Sequence, residues 1–164
     1  MNHKGQAALE FLTTYGWAFL IIVIMIGTLT YFGIFNPGQV LPNRCTFGTE
    51  FQCVDYQISA TGNTFKLKLR NNVGDPLTVD QIVLNSDNGA ALLCVPQNPS
   101  AYPWTETWRS GNTSDFEWNG CNFAAVGLNT GSKGKVLVTI RYYSVASGSN
   151  YIKEAKGDIY SNVI

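Results

Sequence analysis

Two periodicities divide the chain. From Phe11 to Phe35 the sequence is uncharged for 25 residues, with Trp17, Ile21 and Met25 inside the run and no Asp, Glu, Lys or Arg. A bilayer core about 30 Å thick is crossed by roughly 20 predominantly apolar residues in a helix, so this run is long enough to span one. We expect a continuous helix from Gln6 to Phe35, ended by Asn36-Pro37-Gly38, since proline and glycine just past the last turn are a normal helix exit. Leu41-Pro42-Asn43 then continues as a tether. From Cys45 the pattern changes to period two. Thr64-Phe65-Lys66-Leu67-Lys68-Leu69-Arg70 alternates strictly, which turns Phe65, Leu67 and Leu69 to a core and the three cations to water.

Further strands are expected over Leu77–Leu84, Ala90–Val95 and Lys135–Tyr143, the last with Val136, Val138, Ile140 and Tyr142 on one face. Tyr151–Tyr160 reads as a final strand pair interrupted at Gly157. Turns fall at Asn71–Pro76, Asn85–Gly89 and Ser147–Asn150. Pro96–Cys121 reads as a long loop, dense in proline, glycine and aromatic residues; loops of that length are uncommon and often functional. The fold class expected is α+β, a long N-terminal hydrophobic helix followed by an antiparallel β-sandwich headgroup.

Composition adds the compartment. The 164 residues carry a formal net charge of zero, so nothing marks a nucleic-acid partner. Cys45, Cys53, Cys94 and Cys121 all follow the apolar run, an arrangement that suits an oxidising exterior and two disulfides. Four cysteines allow three pairings, and spacing does not choose among them; we favour Cys45–Cys53 with Cys94–Cys121. Asn112-Thr113-Ser114 is a sequon, which makes Asn112 a candidate for N-glycosylation. Lys4 before the apolar run favours a cytoplasmic N-terminus, and the bulky end Tyr31-Phe32-Gly33-Ile34-Phe35 is unlike a signal-peptidase site.

Candidate chemistry is sparse. The single His is His3, before the apolar run, and no phosphate loop, zinc-protease helix or calcium loop occurs; we expect no enzyme, metal or cofactor. Lys66, Lys68 and Arg70 could form an anionic-ligand stripe, but a solvated strand face is the plainer reading. Asp115 and Glu117 could form a carboxylate pair, but a surface position is plainer. In the long loop, Tyr102, Trp104, Trp108 and Trp118 could form an adhesive surface for a sugar or a cell; packing onto the domain or against a neighbouring subunit is the alternative.

One residue remains unexplained by an anchor. Glu10 is the only charged side chain from Gln6 to Asn43. Lys4-Gly5 followed by Gln6-Ala7-Ala8-Leu9-Glu10-Phe11-Leu12 resembles the class III signal peptide of archaeal type IV pilin-like proteins, and Thr14-Tyr15-Gly16-Trp17-Ala18 is also similar to members of that group. Ala8 stands where many members have serine. The opening does not resemble those of archaeal flagellar filament subunits or of bacterial type IV pilins. The exterior part is similar to the headgroup pattern of such pilins at Gly134-Lys135 and Gly157-Asp158-Ile159-Tyr160.

The resemblance implies residues 1–5 as a leader, cut between Gly5 and Gln6 by a prepilin peptidase on the cytoplasmic side. It implies 6–35 as membrane and then filament-core helix, 36–44 as tether and 45–164 as exterior domain. It further implies pairing of Glu10 with the new amine at Gln6 of an adjacent subunit. The implied partners are copies of the chain itself, an assembly ATPase and a membrane platform protein, and adhesion is the implied use. The rival expectation is a single-pass anchored module whose exterior domain binds a sugar, solute or cell-surface ligand.

Overall fold

The computed structural model describes residues 4–33, 41–97 and 106–164. The chain forms two compact units, Met1–Leu41 and Pro42–Ile164.

The first unit holds α1 (Lys4–Tyr31). No proline interrupts it, and the threonine hydroxyls near its end are absorbed locally. Thr28 donates its hydroxyl to the Met25 carbonyl at 2.8 Å, and Thr30 to that of Ile26 at 2.7 Å, so neither hydroxyl asks for an external partner. The helix ends at Tyr31, four residues before Phe35. Phe32 N–H still reaches the Thr28 carbonyl, but Gly33 sits at φ 69° and donates to Thr30 instead. A glycine in the left-handed region closes the last turn without a Cβ clash. The stop is therefore Gly33, and the Asn36-Pro37-Gly38 exit lies outside the described residues.

The second unit is two antiparallel sheets of four strands. One has the order β1 (Arg44–Phe47), β8 (Lys153–Asn162), β7 (Lys133–Ser144), β4 (Leu77–Ser86). The other runs β2 (Phe51–Ser59), β3 (Thr64–Asn71), β6 (Thr113–Asn119), β5 (Val95–Pro96). In β3, Phe65, Leu67 and Leu69 are buried, and in β7 so are Val136, Val138, Ile140 and Tyr142. The apolar faces of both sheets contribute to one core, as alternation with period two requires. A short 3-10 turn, Ala124–Val126, precedes β7.

Several elements differ from the sequence expectation. The presumed loop 96–121 contains β6, which pairs with β3 from Arg70↔Thr113 to Phe65↔Trp118. Ser114, Phe116 and Trp118 alternate with polar residues there, and Phe116 and Trp118 are buried. Residues 90–95 form no strand of their own: Ala91 bridges Asn85, Leu92 N–H donates to the Leu84 carbonyl, and the strand proper is Val95–Pro96. β8 runs through Gly157 without a break. Phe47 lies over Gly157, its register partner, and occupies the space that a Cβ there would need. β1 and β2 had no counterpart in the expected strands; β2 carries an irregularity at Val54, between Cys53 and Asp55, that breaks its alternation.

Candidate functional site

The one sequence feature that departs from ordinary core and surface lies at the start of α1. Gly5 and Gln6 fall within the helix. Glu10 is exposed, and the hydroxyls of Thr13 and Thr14 both donate to its backbone carbonyl, at 3.1 and 2.7 Å. From there the helix is apolar on every side. Phe11, Tyr15, Trp17, Phe19, Leu20 and Ile22 are all exposed, with Phe19 at 69%. Successive residues turn by about 100°, so exposure at consecutive positions 19–26 runs right round the helix. Thr13–Tyr31, 19 residues, is long and apolar enough to cross a membrane. A helix of this kind is compatible with membrane anchoring or with a signal sequence.

The cysteines form two disulfides, Cys45–Cys53 and Cys94–Cys121. The first joins an edge strand of one sheet, β1, to an edge strand of the other, β2. The second ties the segment before β5 to the residue two past the end of β6. Stable disulfides form mostly in oxidising surroundings, the cell exterior among them, so the two bridges suggest an extracellular location for the two-sheet unit.

The aromatic-loop expectation is corrected at two of its four positions. Trp108 is 3% exposed and Trp118 is 2% exposed, so neither presents a ring to a ligand. Trp108 stacks on Phe51 with centroids 5.3 Å apart and donates its indole N–H to the Asn112 carbonyl at 2.9 Å. Its backbone pairs with Leu77 in both directions, at 2.8 and 3.0 Å. Trp118 packs on Phe65 at 5.3 Å. Both rings bury apolar surface, and Trp108 satisfies its one polar atom, as buried indoles usually do. Tyr102 and Trp104 lie outside the described residues.

Asn71 holds the turn beside Trp108. It is fully buried. Its amide donates to the carbonyls of Asp75 (3.0 Å) and Trp108 (2.9 Å), and its side-chain oxygen accepts from Val73 N–H at 2.9 Å. Sequence reading took it for an ordinary turn residue; only its spacing from Trp108 in three dimensions reveals the role. Asn112 is exposed, and its backbone carbonyl, not its side chain, is what Trp108 uses.

The cationic stripe is matched by anions on its neighbour. Lys66 pairs with Glu117 at 3.4 Å and Lys68 with Asp115 at 3.2 Å, while Arg70 donates to the Gly111 carbonyl at 2.7 Å. The strand register puts these partners side by side. The open groove above them, about 300 Å³ and lined also by Asp55 and Tyr56, therefore sets three carboxylates against two ammonium groups and offers no cationic surplus to an anion. Among the described residues no group of three or more His, Cys, Asp or Glu is arranged to hold a metal ion. The titration that stands apart is that of Tyr142, whose phenol is raised above its ordinary value by burial and then by the Glu50 carboxylate.

No protein-family model matches the chain, and no curated protein is a significant match.

Proposed function

We propose that the chain is the precursor of a type IV pilin-like filament subunit, with residues 1–5 as a leader removed between Gly5 and Gln6. The observation that carries this reading is the pairing of a helix apolar on all sides with a single carboxylate, Glu10, at its start, in the Lys4-Gly5-Gln6 context. A plain anchor has no use for that acid. A helix that leaves lipid for a bundle of its own copies does. Burying an unpaired carboxylate costs several kcal/mol, by order of magnitude. Cleavage would create an amine at Gln6, and the amine of a neighbouring copy, offset along the filament, would neutralise Glu10 and set the stagger between subunits.

On this reading the two sheets form a β-sandwich headgroup on the filament exterior, Asn112 is a glycan acceptor, and the filament serves adhesion. A prepilin peptidase, an assembly ATPase and a membrane platform protein are its partners, and other copies of the chain its main contact. The rival, an anchored module that binds through its aromatic loop, loses the rings of Trp108 and Trp118 to the core. Mass spectrometry of the protein recovered from its native membrane tests the proposal. We expect a chain beginning at Gln6; an intact Met1 start, or a cut beyond Phe35, would overturn it.

A further inference from the structure

The chain leaving α1 enters the two-sheet unit through β1, and β1 is a poor handle. It is four residues long, lies at a sheet edge and pairs with β8 alone. Arg44 and Thr46 are exposed, and Cys45 and Phe47 are only half-buried. Beyond its four register pairs it is held by the partial packing of Cys45 and Phe47 on the core, where Phe47 rests on Gly157, and by the Arg44–Asp158 ion pair at 3.2 Å. The Arg44 side chain is 58% exposed in that pair, and exposed pairs add little. The direction of entry decides how β1 is loaded. Arg44 lies opposite Tyr160, at the end of the β7–β8 hairpin away from its 145–152 turn. A pull between the tether and that turn therefore acts along the strand axis and loads the four register pairs of β1 together, ahead of the other strands.

Cys45 is the second residue of this strand, and its partner Cys53 is in β2. β2 belongs to the other sheet, pairs with β3 from Phe51↔Asn71 to Ser59↔Thr64, and buries Phe51 and Ile58. We propose that the Cys45–Cys53 bridge is a mechanical strap, which passes tension arriving through the tether around β1 and into β2. The inference rests on the reading of α1 as held by lipid or by other copies while the two-sheet unit makes contacts outside. Any pull between the two then runs through the single chain at Arg44.

With the bridge closed, only Arg44 of β1 lies ahead of the covalent link, so the strand cannot slide off β8. With it open, the chain can lengthen from Arg44 to the next buried anchor, Phe51. Residues 44–50 number seven, and extended chain spans at most about 3.3–3.6 Å per residue, so the freed segment is up to about 25 Å long and the gain is that length less the distance it already spans. Cys94–Cys121 lies off this path, since neither residue falls between the tether and β2.

Single-molecule pulling on the full chain in a lipid nanodisc tests the strap, with handles at residues 39 and 148. The wild-type protein is expected to show no lengthening before the unit unfolds as a whole. Cys45→Ser with Cys53→Ser is expected to add an early step of less than about 25 Å before the unit unfolds, and Cys94→Ser with Cys121→Ser to add none. If the first double variant does not fold, wild-type protein clamped just below the force at which the unit unfolds and then exposed to reductant supplies the same step. Absence of the step after loss or reduction of Cys45–Cys53 would overturn the proposal, as would an equal step in the Cys94/Cys121 variant. No filament is needed for this measurement, so its failure leaves the processing test at Gln6 untouched, and the converse holds.

Discussion

Phe19 and Phe65 are the same side chain in opposite circumstances. In α1, Phe19 is 69% exposed; in β3, Phe65 is fully buried. The contrast holds for whole regions. The two-sheet unit buries Leu67, Leu69, Val136, Val138 and Ile140 against one another, whereas α1 exposes Ile21 to Ile26 without exception. Fully burying one such side chain stabilises by about 1.5–3 kcal/mol. The two-sheet unit draws this gain from its own chain. The helix can draw it only from surroundings it does not contain, because a helix apolar on every side has no solvated face to rest on. One region is thus a folding unit, and the other is a segment whose environment decides its state.

The largest test of that contrast acts on the one charge in the helix. If α1 exchanges lipid for other copies of itself, Glu10→Ala removes the partner of a buried cation. Breaking a buried ion pair costs about 3–5 kcal/mol, enough to shift subunit association by about two orders of magnitude or more. We expect the variant to be cut at Gln6 and to stay in the membrane, with filaments nearly absent by electron microscopy. A normal filament yield would show that α1 needs nothing beyond apolar contact.

The paired phenylalanines give the next effect. Phe65→Ala is expected to destabilise the two-sheet unit by about 3–5 kcal/mol, seen as a lowered midpoint in thermal or denaturant unfolding followed by near-UV circular dichroism. Phe19→Ala is expected to leave that midpoint within about 0.5 kcal/mol. A matching loss in both variants would mean that the helix and the sheets unfold as one body, and the contrast would fail.

What could be read from residues alone follows the same division. The apolar run and the alternation of β3 and β7 were legible, because each is a long stretch in which a single period holds. The end of α1 was not: Gly33 and Asn36-Pro37-Gly38 are both competent stops, and the nearer one acts. β6 was hidden by its neighbourhood. Its Ser114–Phe116–Trp118 alternation is as regular as that of β3, but proline and glycine before it suggested a loop, and aromatic rings in a loop suggested a ligand surface. β1 and β2 were hidden for a different reason. β1 is too short to show a period, and the irregularity at Val54 breaks the period of β2. At the start of α1 a resemblance supplied the significance of Glu10; periodicity alone offered only an awkward acid.

Gly157 sharpens the comparison from the other side. Gly16 and Gly27 of α1 have open space where a Cβ would stand, whereas at Gly157 the Phe47 ring fills it. Gly157→Val, although suited to a strand, is expected to cost about 1–3 kcal/mol through overpacking, measured by the same unfolding midpoint. Combined with Phe47→Ala, the change should cost less than the sum of the two alone, because each removes the other's conflict. Simple additivity would show that Phe47 can move aside freely, and that β1 is held by something other than this contact.

The smallest effect concerns protons. Tyr142 is buried in β7 beside the ring of Phe51 and the charge of Glu50. Burial first, and that carboxylate second, disfavour the phenolate and raise the phenol above its ordinary value of 10.0. The fold therefore prefers the protonated form. Below pH 10 both folded and unfolded chains keep the proton, and stability is unaffected by this group. Above it the unfolded chain releases the proton first, so stability falls with rising pH until the folded phenol also ionises. Tyr142→Phe keeps the ring against Phe51 and removes the titration. Unfolding midpoints measured from pH 8 to 11 should decline less steeply above pH 10 in the variant than in the wild type. An identical decline would place the alkaline sensitivity elsewhere, and would mean that the two-sheet core tolerates a phenolate at Tyr142 as readily as water does.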